Sequence, residues 1–162
     1  MTFTAIDFET ATAKRNSACA VGIITVENGQ IIEEYSALIQ PPNNEYSWHN
    51  TNVHGITAYD TRNEPNFGEV YSEIKQRLVG EMVVAHNASF DRSVLQKSMI
   101  EYGLDYEELR IKDNWKCTLS LYKKKGYSPA NLNHCCSIHN IPLNHHDALS
   151  DARACAKLYL IR

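Results

Sequence analysis

The sequence predicts an α/β fold in which helices cover a mixed β-sheet. Two strand-like segments are joined by Asn28-Gly29, a dipeptide favoured in two-residue hairpin turns, which indicates an antiparallel start to the sheet. From residue 66 onward, short apolar runs alternate with helical segments, as in β-α-β units. A length of 162 residues, with 43% apolar and 22% charged residues, suits one globular domain over residues 1–162.

Three strands form the predicted antiparallel part. Residues 2–6 form a short apolar strand that leads into Asp7. Residues 19–26 are apolar and β-branched, which predicts an interior strand. Residues 30–39 follow the hairpin turn and pair with that strand, and two consecutive prolines at 41–42 end the regular structure.

The rest of the chain is predicted to be mostly helical. Residues 48–65 are polar and are expected to be irregular. Asn87 is expected to cap a helix whose apolar face carries Phe90, Val94, Leu95 and Met99. The other predicted elements are helices at 66–79, 118–125, 131–139 and 147–161 and strands at 82–85 and 115–118.

Composition limits the class of protein. No window approaches the roughly 18 consecutive apolar residues of a membrane helix, and the N-terminus lacks the features of a signal peptide, so a cytoplasmic location is expected. Five cysteines, an odd number without a disulfide framework, suit a reducing compartment. The net charge is −3, divided as −6 over residues 1–81 and +3 over 82–162. That asymmetry fits either a basic surface for a phosphate backbone or scattered solvated charges.

The first candidate site is Asp7-Phe8-Glu9, directly after the first strand. Side chains alternate along a strand, so Asp7 and Glu9 lie on one face and Phe8 on the other. Two neighbouring carboxylates repel each other unless a cation lies between them, and their oxygens suit Mg²⁺ or Mn²⁺. Two acids at an exposed strand end are also common without a metal.

The second candidate lies at a strand-to-helix junction. Asp91 falls in the first turn of the predicted helix, where the macrodipole favours a carboxylate. His86 and Asn87, just before it, are equally typical of a turn and a cap. A functional and a structural interpretation of this segment carry equal weight.

The third candidate is the segment from His145 to Ala154. His146 and Asp151 are five positions apart, about 140° around an ideal helix, so they converge only if His146 precedes the helix. Ala148 and Ala152 are small and permit a close backbone approach. A lone histidine near a helix start is more often a surface or core residue than a catalytic one.

Together, the motifs DFET, HNASFD and HHDALSDA resemble the DEDDh exonucleases of the DnaQ-like family, typified by the proofreading epsilon subunit of bacterial DNA polymerase III. That family carries Asp-x-Glu after the first strand, an Asp at the start of a middle helix and His-x-Ala-x-x-Asp near the end. The matching positions are Asp7, Glu9, Asp91, His146 and Asp151. The match spans residues 7 to 151, and VHGI at 53–56 is similar to another family segment.

The resemblance implies an RNase H-like fold, a five-stranded mixed sheet with its first three strands antiparallel. It also implies two divalent cations, Mg²⁺ or Mn²⁺, and release of nucleoside 5′-monophosphates from a 3′ end. Asp7 would bridge both cations, Glu9 and Asp151 would complete the first, and Asp91 would help to hold the second. His146 would be the general base, because an imidazole can accept a proton at neutral pH.

The resemblance further implies a pocket for the terminal nucleotide. Apolar or stacking contact with the base would give little sequence preference. Phe90 fits the core stripe of its helix equally well. The residues implied for substrate binding are Phe8, Thr10, Val53, His54, Asn87 and Phe90.

Some features depart from the family pattern or are left aside. Proofreading subunits commonly read Thr-Thr-Gly where this chain runs Thr-Ala-Thr at 10–12, and His145 beside His146 adds an auxiliary histidine. The Cys/His-rich residues 134–146 do not have the ligand spacing of a structural zinc site. The basic run at 123–125 fits either a nucleic-acid contact or a solvated face.

Three functions remain open at this point. The first is a DNA 3′–5′ exonuclease, alone or as a proofreading module. The second is an RNA exonuclease similar to RNase T or oligoribonuclease, since contacts with the 2′-OH decide between the two polymers. The third, a non-catalytic binding module, is disfavoured because all five catalytic positions are filled. The expected partners are a single-stranded 3′ end and a DNA polymerase or further domains of a longer chain, with no membrane.

Overall fold

The computed structural model describes all 162 residues and contains one five-stranded sheet in the order β3-β2-β1-β4-β5. The strands are β1 (Phe3–Thr10), β2 (Ala18–Glu27), β3 (Gln30–Leu38), β4 (Val83–Ala85) and β5 (Trp115–Cys117). The first three pair antiparallel, and β4 and β5 continue the sheet parallel to β1. The predicted mixed sheet with an antiparallel start is confirmed, and β2 is an interior strand.

The structure also contains seven helices. They are α1 (Trp48–His54), α2 (Ala58–Thr61), α3 (Phe67–Leu78), α4 (Ala88–Glu101), α5 (Thr118–Lys124), α6 (Leu132–Ile138) and α7 (Ala148–Leu160). Short 3₁₀ segments lie at Pro42–Asn44 and Tyr106–Leu109. No helix combines the length and the apolar character needed to cross a membrane.

The prediction that residues 48–65 are irregular is wrong, because α1 and α2 lie there. The Ser47 side chain accepts a hydrogen bond from the Asn50 N–H at the start of α1, and Gly55 ends that helix in the left-handed conformation. Thr57 and Asp60 form a capping box at the start of α2. Since α1 buries no residue, it has no apolar stripe from which it could be recognised.

The prediction that Asn87 caps α4 through its side chain is also wrong. Asn87 has a left-handed backbone with φ of 73°, and its side chain makes no capping hydrogen bond. A capping side chain needs an extended backbone at its own residue, which this conformation excludes. Asn87 turns the chain between β4 and α4, a role that asparagine tolerates better than most residues.

Separate cores lie on the two faces of the sheet. On one face, Ile6 and Phe8 of β1 belong to the larger core, which also contains residues of α3 and α4. On the other face, Phe3 and Ala5 pack with α7. In α7, Ala152, Ala156 and Tyr159 are buried against this face, and Leu149 packs against them. Helix α7 therefore covers the face of β1 on which Asp7 and Glu9 follow.

The close contact between α7 and β2 depends on Gly22. A Cβ atom at Gly22 would collide with the carbonyl group of Ala148 and lie 2.5 Å from the Leu149 nitrogen. Gly22→Ala is expected to lower the free energy of unfolding by about 1–3 kcal/mol, because neither backbone can move without repacking the sheet. Urea unfolding measures this. Gly68→Ala, whose new methyl meets the Tyr102 side chain at 3.0 Å, is the control and should cost clearly less.

Candidate active site

The end of β1 and the first turn of α7 bring three carboxylates together. Asp7 and Glu9 lie on the face of β1 toward α7, as strand alternation predicts, while Phe8 packs in the opposite core. One carboxylate oxygen from each of Asp7, Glu9 and Asp151 lies within 4.8 Å of the others. The structure therefore brings Asp7, Glu9 and Asp151 together.

Asp91 approaches the same point from the other side of the sheet. It lies in the first turn of α4, is 1% exposed, and its Oδ1 accepts a hydrogen bond of 2.9 Å from the Phe8 N–H. Burial raises the pKa of Asp91 to about 8, although hydrogen bonds from the Phe8 and Asp91 N–H groups oppose the shift. Asp91 is outside the three-oxygen group, and its negative charge acts on Asp7.

The electrostatics of this cluster favour a cation. Burial raises the pKa of Asp7 well above its usual range, and the charges of Asp91, Asp151 and Glu9 raise it further. Burial and the charge of Asp151 raise the pKa of Glu9 to about 8. The Oδ1 atom of Asp151 is buried without a hydrogen-bond partner. Closely spaced oxygens, mutual repulsion and an unpartnered buried oxygen together fit a hard divalent cation.

Without a cation, these shifts make stability depend on pH. Carboxyls whose pKa is higher in the folded state bind protons that the unfolded chain has already released. Their contribution to the free energy of unfolding is therefore complete below about pH 4.5 and is lost as the pH rises to about 8. The expected fall is about 1.4 kcal/mol per pH unit for each such carboxyl. Urea unfolding in chelator at pH 5 and pH 8 measures it. A metal-free protein that is equally stable or more stable at pH 8 would contradict this electrostatic account.

His146 lies in the turn that precedes α7. Asp147 caps the helix by accepting the Ser150 N–H at 2.8 Å, and His146 immediately before it has φ of 69°. The His146 N–H donates to Asp151 Oδ2 at 3.1 Å. Burial and the charge of His145 lower the pKa of the His146 imidazole. The predicted arrangement, with His146 before the helix and Asp151 inside it, is confirmed.

An open cleft of about 320 Å³ contains these groups. It is bordered by the ends of β1 and β4, by α1 and by the turn before α7. Five of the six predicted substrate-binding residues line it, and Asn87 does not. Its lining residues are Asp7, Phe8, Glu9, Thr10, His49, Asn50, Val53, His54, His86, Phe90, Leu132, His145, His146 and Asp151.

The chain matches a known protein family. Residues 4–159 match the RNase T exonuclease family. The chain belongs to this exonuclease family. The predicted membership of an exonuclease family and the predicted class of enzyme, a 3′–5′ exonuclease, are confirmed at the level of the family.

Two bacterial relatives are similar along almost the whole chain. The PolC-type DNA polymerase III of Thermotoga petrophila is 34% identical over 165 residues, which is 98% of this chain and 12% of the polymerase. The 3′–5′ exonuclease DinG of Staphylococcus epidermidis is 29% identical over 175 residues, covering 98% of this chain and 18% of that protein. The chain thus spans less than a fifth of the length of either relative.

Solved structures confirm the predicted RNase H-like fold. Exonuclease X in complex with 5′ overhanging duplex DNA has a TM-score of 0.76 and 23% identity, covering 98% of this chain and 89% of that chain. The nuclease domain of 3′hExo, a DEDDh family member bound to rAMP, has a TM-score of 0.81 and 15% identity, covering 99% and 90%.

In this exonuclease chain, the His54 ring holds the end of β1 in place. Its Nδ1 accepts the Ile56 N–H at 3.0 Å, so Nε2 carries the proton and donates to the Thr10 carbonyl at 2.9 Å. The Asn50 amide donates to the same carbonyl at 3.0 Å. Both ring nitrogens of His54 are therefore occupied, and the ring borders the cleft as a fixed wall.

Phe90 serves both interpretations that the sequence left open. Its ring lines the cleft and also packs against the larger core. The Arg15 guanidinium lies 4.4 Å from the centre of the ring, and this residue was not predicted as part of the site. Val53, which also lines the cleft, is 41% exposed. The cleft therefore has apolar surface with a positive charge beside it.

Sequence reasoning missed three further lining residues: His49, Asn50 and Leu132. Two of them lie on α1, which the sequence did not reveal as a helix. His86, for which the sequence left a functional and a turn role open, also lines the cleft; its Nδ1 lies 2.9 Å from Thr118 Oγ1, and its Nε2 is buried without a partner. Burial lowers the pKa of His86 to about 4, so its ring is neutral at physiological pH.

Proposed function

We propose that the chain is a metal-dependent 3′–5′ exonuclease domain that removes nucleoside 5′-monophosphates from the 3′ end of DNA. The observation that carries this proposal is the group of Asp7, Glu9 and Asp151 oxygens in a cleft with His146 at its edge. The family match supports the class of reaction. We further propose that residues 1–162 act as one domain.

We assign the cations to four carboxylates. Asp7, Glu9 and Asp151 would hold one Mg²⁺ or Mn²⁺, and Asp7 with Asp91 a second. Bound cations of this kind stabilise the attacking and leaving oxygens of an in-line displacement at phosphorus. The repulsion among the four carboxylates and the unpartnered Asp151 Oδ1 support this assignment.

His146 is proposed as the general base. Burial lowers its pKa, so the imidazole is neutral at pH 7 and one ring nitrogen can take a proton from the attacking water. The hydrogen bond from its backbone N–H to Asp151 fixes the turn that carries the ring. This hydrogen bond therefore holds the proposed base close to Asp151, a proposed ligand of the cation.

The walls of the cleft are proposed to bind the terminal nucleotide. Val53 and Phe90 would contact the base, and apolar contact of this kind suits any base. His54 and Asn50 would act indirectly, because they fix the Thr10 carbonyl at the end of β1. Phe8 contributes mainly its backbone, since its side chain is 2% exposed.

DNA is the proposed substrate because similar proteins include a DNA polymerase III, which is 34% identical, and the exonuclease DinG, which is 29% identical. A single-stranded 3′ end is the partner that an open cleft of this size can admit. The 3′hExo structure contains rAMP, which makes RNA a second candidate substrate. RNA ranks second because that protein is only 15% identical and shares only the fold.

The two substrates are separated by a direct comparison. A 3′-labelled single-stranded DNA and an RNA of the same sequence are digested with Mg²⁺, with Mn²⁺ and with chelator. We expect mononucleotide release from DNA with either metal and none with chelator. Faster release from RNA would show that RNA, and not DNA, is the substrate. No release from either polymer would refute the proposed function.

A further inference from the structure

His145, His146 and Asp151 form a second group of potential metal ligands at the edge of the cleft. One ligand atom from each lies within 4.8 Å of the others. His145 Nδ1 donates to Asp151 Oδ2 at 3.0 Å, and the two imidazole rings stack with their centres 3.8 Å apart. Two nitrogens and one oxygen therefore lie close together, whereas the neighbouring group offers only carboxylate oxygens.

The backbone explains why two consecutive histidines lie on the same side. Adjacent side chains in an extended strand point to opposite faces. His146 has φ of 69°, and this left-handed residue turns the chain so that its ring lies over that of His145. Asp151 is fixed one turn into α7 and is 4% exposed. The positions of all three residues are thus set by the turn and the helix that follows it.

We propose that His145, His146 and Asp151 bind a late first-row divalent cation, of which Zn²⁺ is the one to expect. Imidazole nitrogens suit Zn²⁺, and affinity rises from Mn²⁺ toward Cu²⁺ and Zn²⁺, whereas Mg²⁺ prefers oxygen ligands. Two histidines and one carboxylate with an open fourth position form a recurrent zinc ligand set. The site is distinct from the carboxylate cluster, although Asp151 belongs to both.

The residues can reach coordination with small movements. The cation takes the place of the proton between His145 Nδ1 and Asp151 Oδ2, and that proton is carried on Nε2 of the same ring. The stacked rings must open so that a nitrogen of each points at the cation. The His145 side chain is 37% exposed, so its ring can turn without displacing core residues. Asp151 presents Oδ2 to this site, while its Oδ1 lacks a partner and is free for the other site.

Zinc at this site would oppose the exonuclease reaction, a consequence that rests on the proposed function. The cation engages the imidazole of His146, which is the proposed base, and it draws on Asp151, which is a proposed ligand of the catalytic cation. Mg²⁺ and Zn²⁺ would thus have opposite effects on one enzyme. Cys135 and Cys136 do not offer an alternative zinc site with these histidines, because both are buried in a separate cluster.

The binding test uses full-length Asp7→Asn, which removes one ligand of the carboxylate cluster and leaves the histidine group intact. Zn²⁺ affinity is measured by competition with a chromophoric chelator. Adding His145→Asn is expected to weaken Zn²⁺ binding at least about ten-fold, since even the loss of an outer-shell partner costs that much. His146→Asn is expected to do the same. His134→Asn is the matched control, a half-buried histidine whose ring makes no hydrogen bond, and should change nothing.

Equal Zn²⁺ affinity with and without His145 and His146 would overturn the site, whatever the activity of the protein. A second measurement titrates Zn²⁺ into wild-type protein digesting DNA at fixed Mg²⁺. Inhibition that His145→Asn shifts to at least about ten-fold higher Zn²⁺ supports the site and its regulatory effect. Unaltered inhibition would contradict that effect. A wild-type protein without nuclease activity would refute the proposed function while the binding result still decides the metal site.

Discussion

Asp7→Asn is expected to reduce kcat for digestion of single-stranded DNA by about 10³-fold or more. Asp7 is the proposed ligand of both cations, and metal ions contribute several kcal/mol of transition-state stabilisation, with each 1.4 kcal/mol worth a factor of ten. The substitution keeps the shape of the side chain and removes a charge that its neighbours repel. The variant should therefore remain folded and be at least as stable as the metal-free wild type at pH 8.

The rate is measured with a labelled oligonucleotide at saturating Mg²⁺, and the fold is checked by urea unfolding in chelator. Asp113→Asn is the matched control, since this exposed acid lies in a loop and forms no ion pair. A folded Asp7→Asn variant with near-wild-type kcat would show that Asp7 does not hold a catalytic cation. A variant that loses activity only because it unfolds would contradict the electrostatic account of the cluster.

His146→Asn is expected to lower kcat by about 10²–10⁴-fold, the usual contribution of a positioned general base. Asparagine tolerates the left-handed backbone at this position and keeps a polar side chain, so the turn before α7 should be preserved. The Mg²⁺ concentration for half-maximal activity should change little, because the four carboxylates are intact. The activity of the wild-type protein should fall only below pH 6.5, because burial lowers the pKa of the His146 imidazole from its usual value of 6.5.

Rates at several Mg²⁺ concentrations separate a lost base from a lost metal. His134→Asn is again the control. If His146→Asn mainly raised the Mg²⁺ requirement and recovered full kcat at saturation, His146 would be a positioning residue for the cation and not the base. If the variant retained full activity at low Mg²⁺, His146 would have no part in the reaction.

The sequence predicted the sheet and the carboxylate cluster because local patterns determine both. Alternation along β1 places Asp7 and Glu9 on the α7 face, and the spacing of His146 and Asp151 requires the histidine to precede the helix. Gly22 and Ala148 complete this arrangement through a backbone contact that links β2 to α7. The sequence predicted a close backbone approach at the small residue Ala148, and its backbone does lie against Gly22.

Features determined by tertiary contacts escaped prediction. Helix α1, which carries Asn50 and His54, buries no residue, so no apolar pattern in the sequence predicted it. The position of Asp91 depends on a hydrogen bond from the Phe8 backbone, 83 positions away. The left-handed conformation of His146, which stacks it on His145, follows no local rule for histidine.

Metal-dependent removal of nucleotides from a 3′ end, as proposed for the carboxylate cluster, is tested most directly by the reaction products. A 5′-labelled single-stranded DNA is incubated with the protein and Mg²⁺, and the products are resolved by length and by mass. We expect stepwise shortening from the 3′ end, nucleoside 5′-monophosphates as the only mononucleotide product, and no shortening in chelator. Internal cleavage, nucleoside 3′-monophosphates or equal shortening in chelator would contradict it.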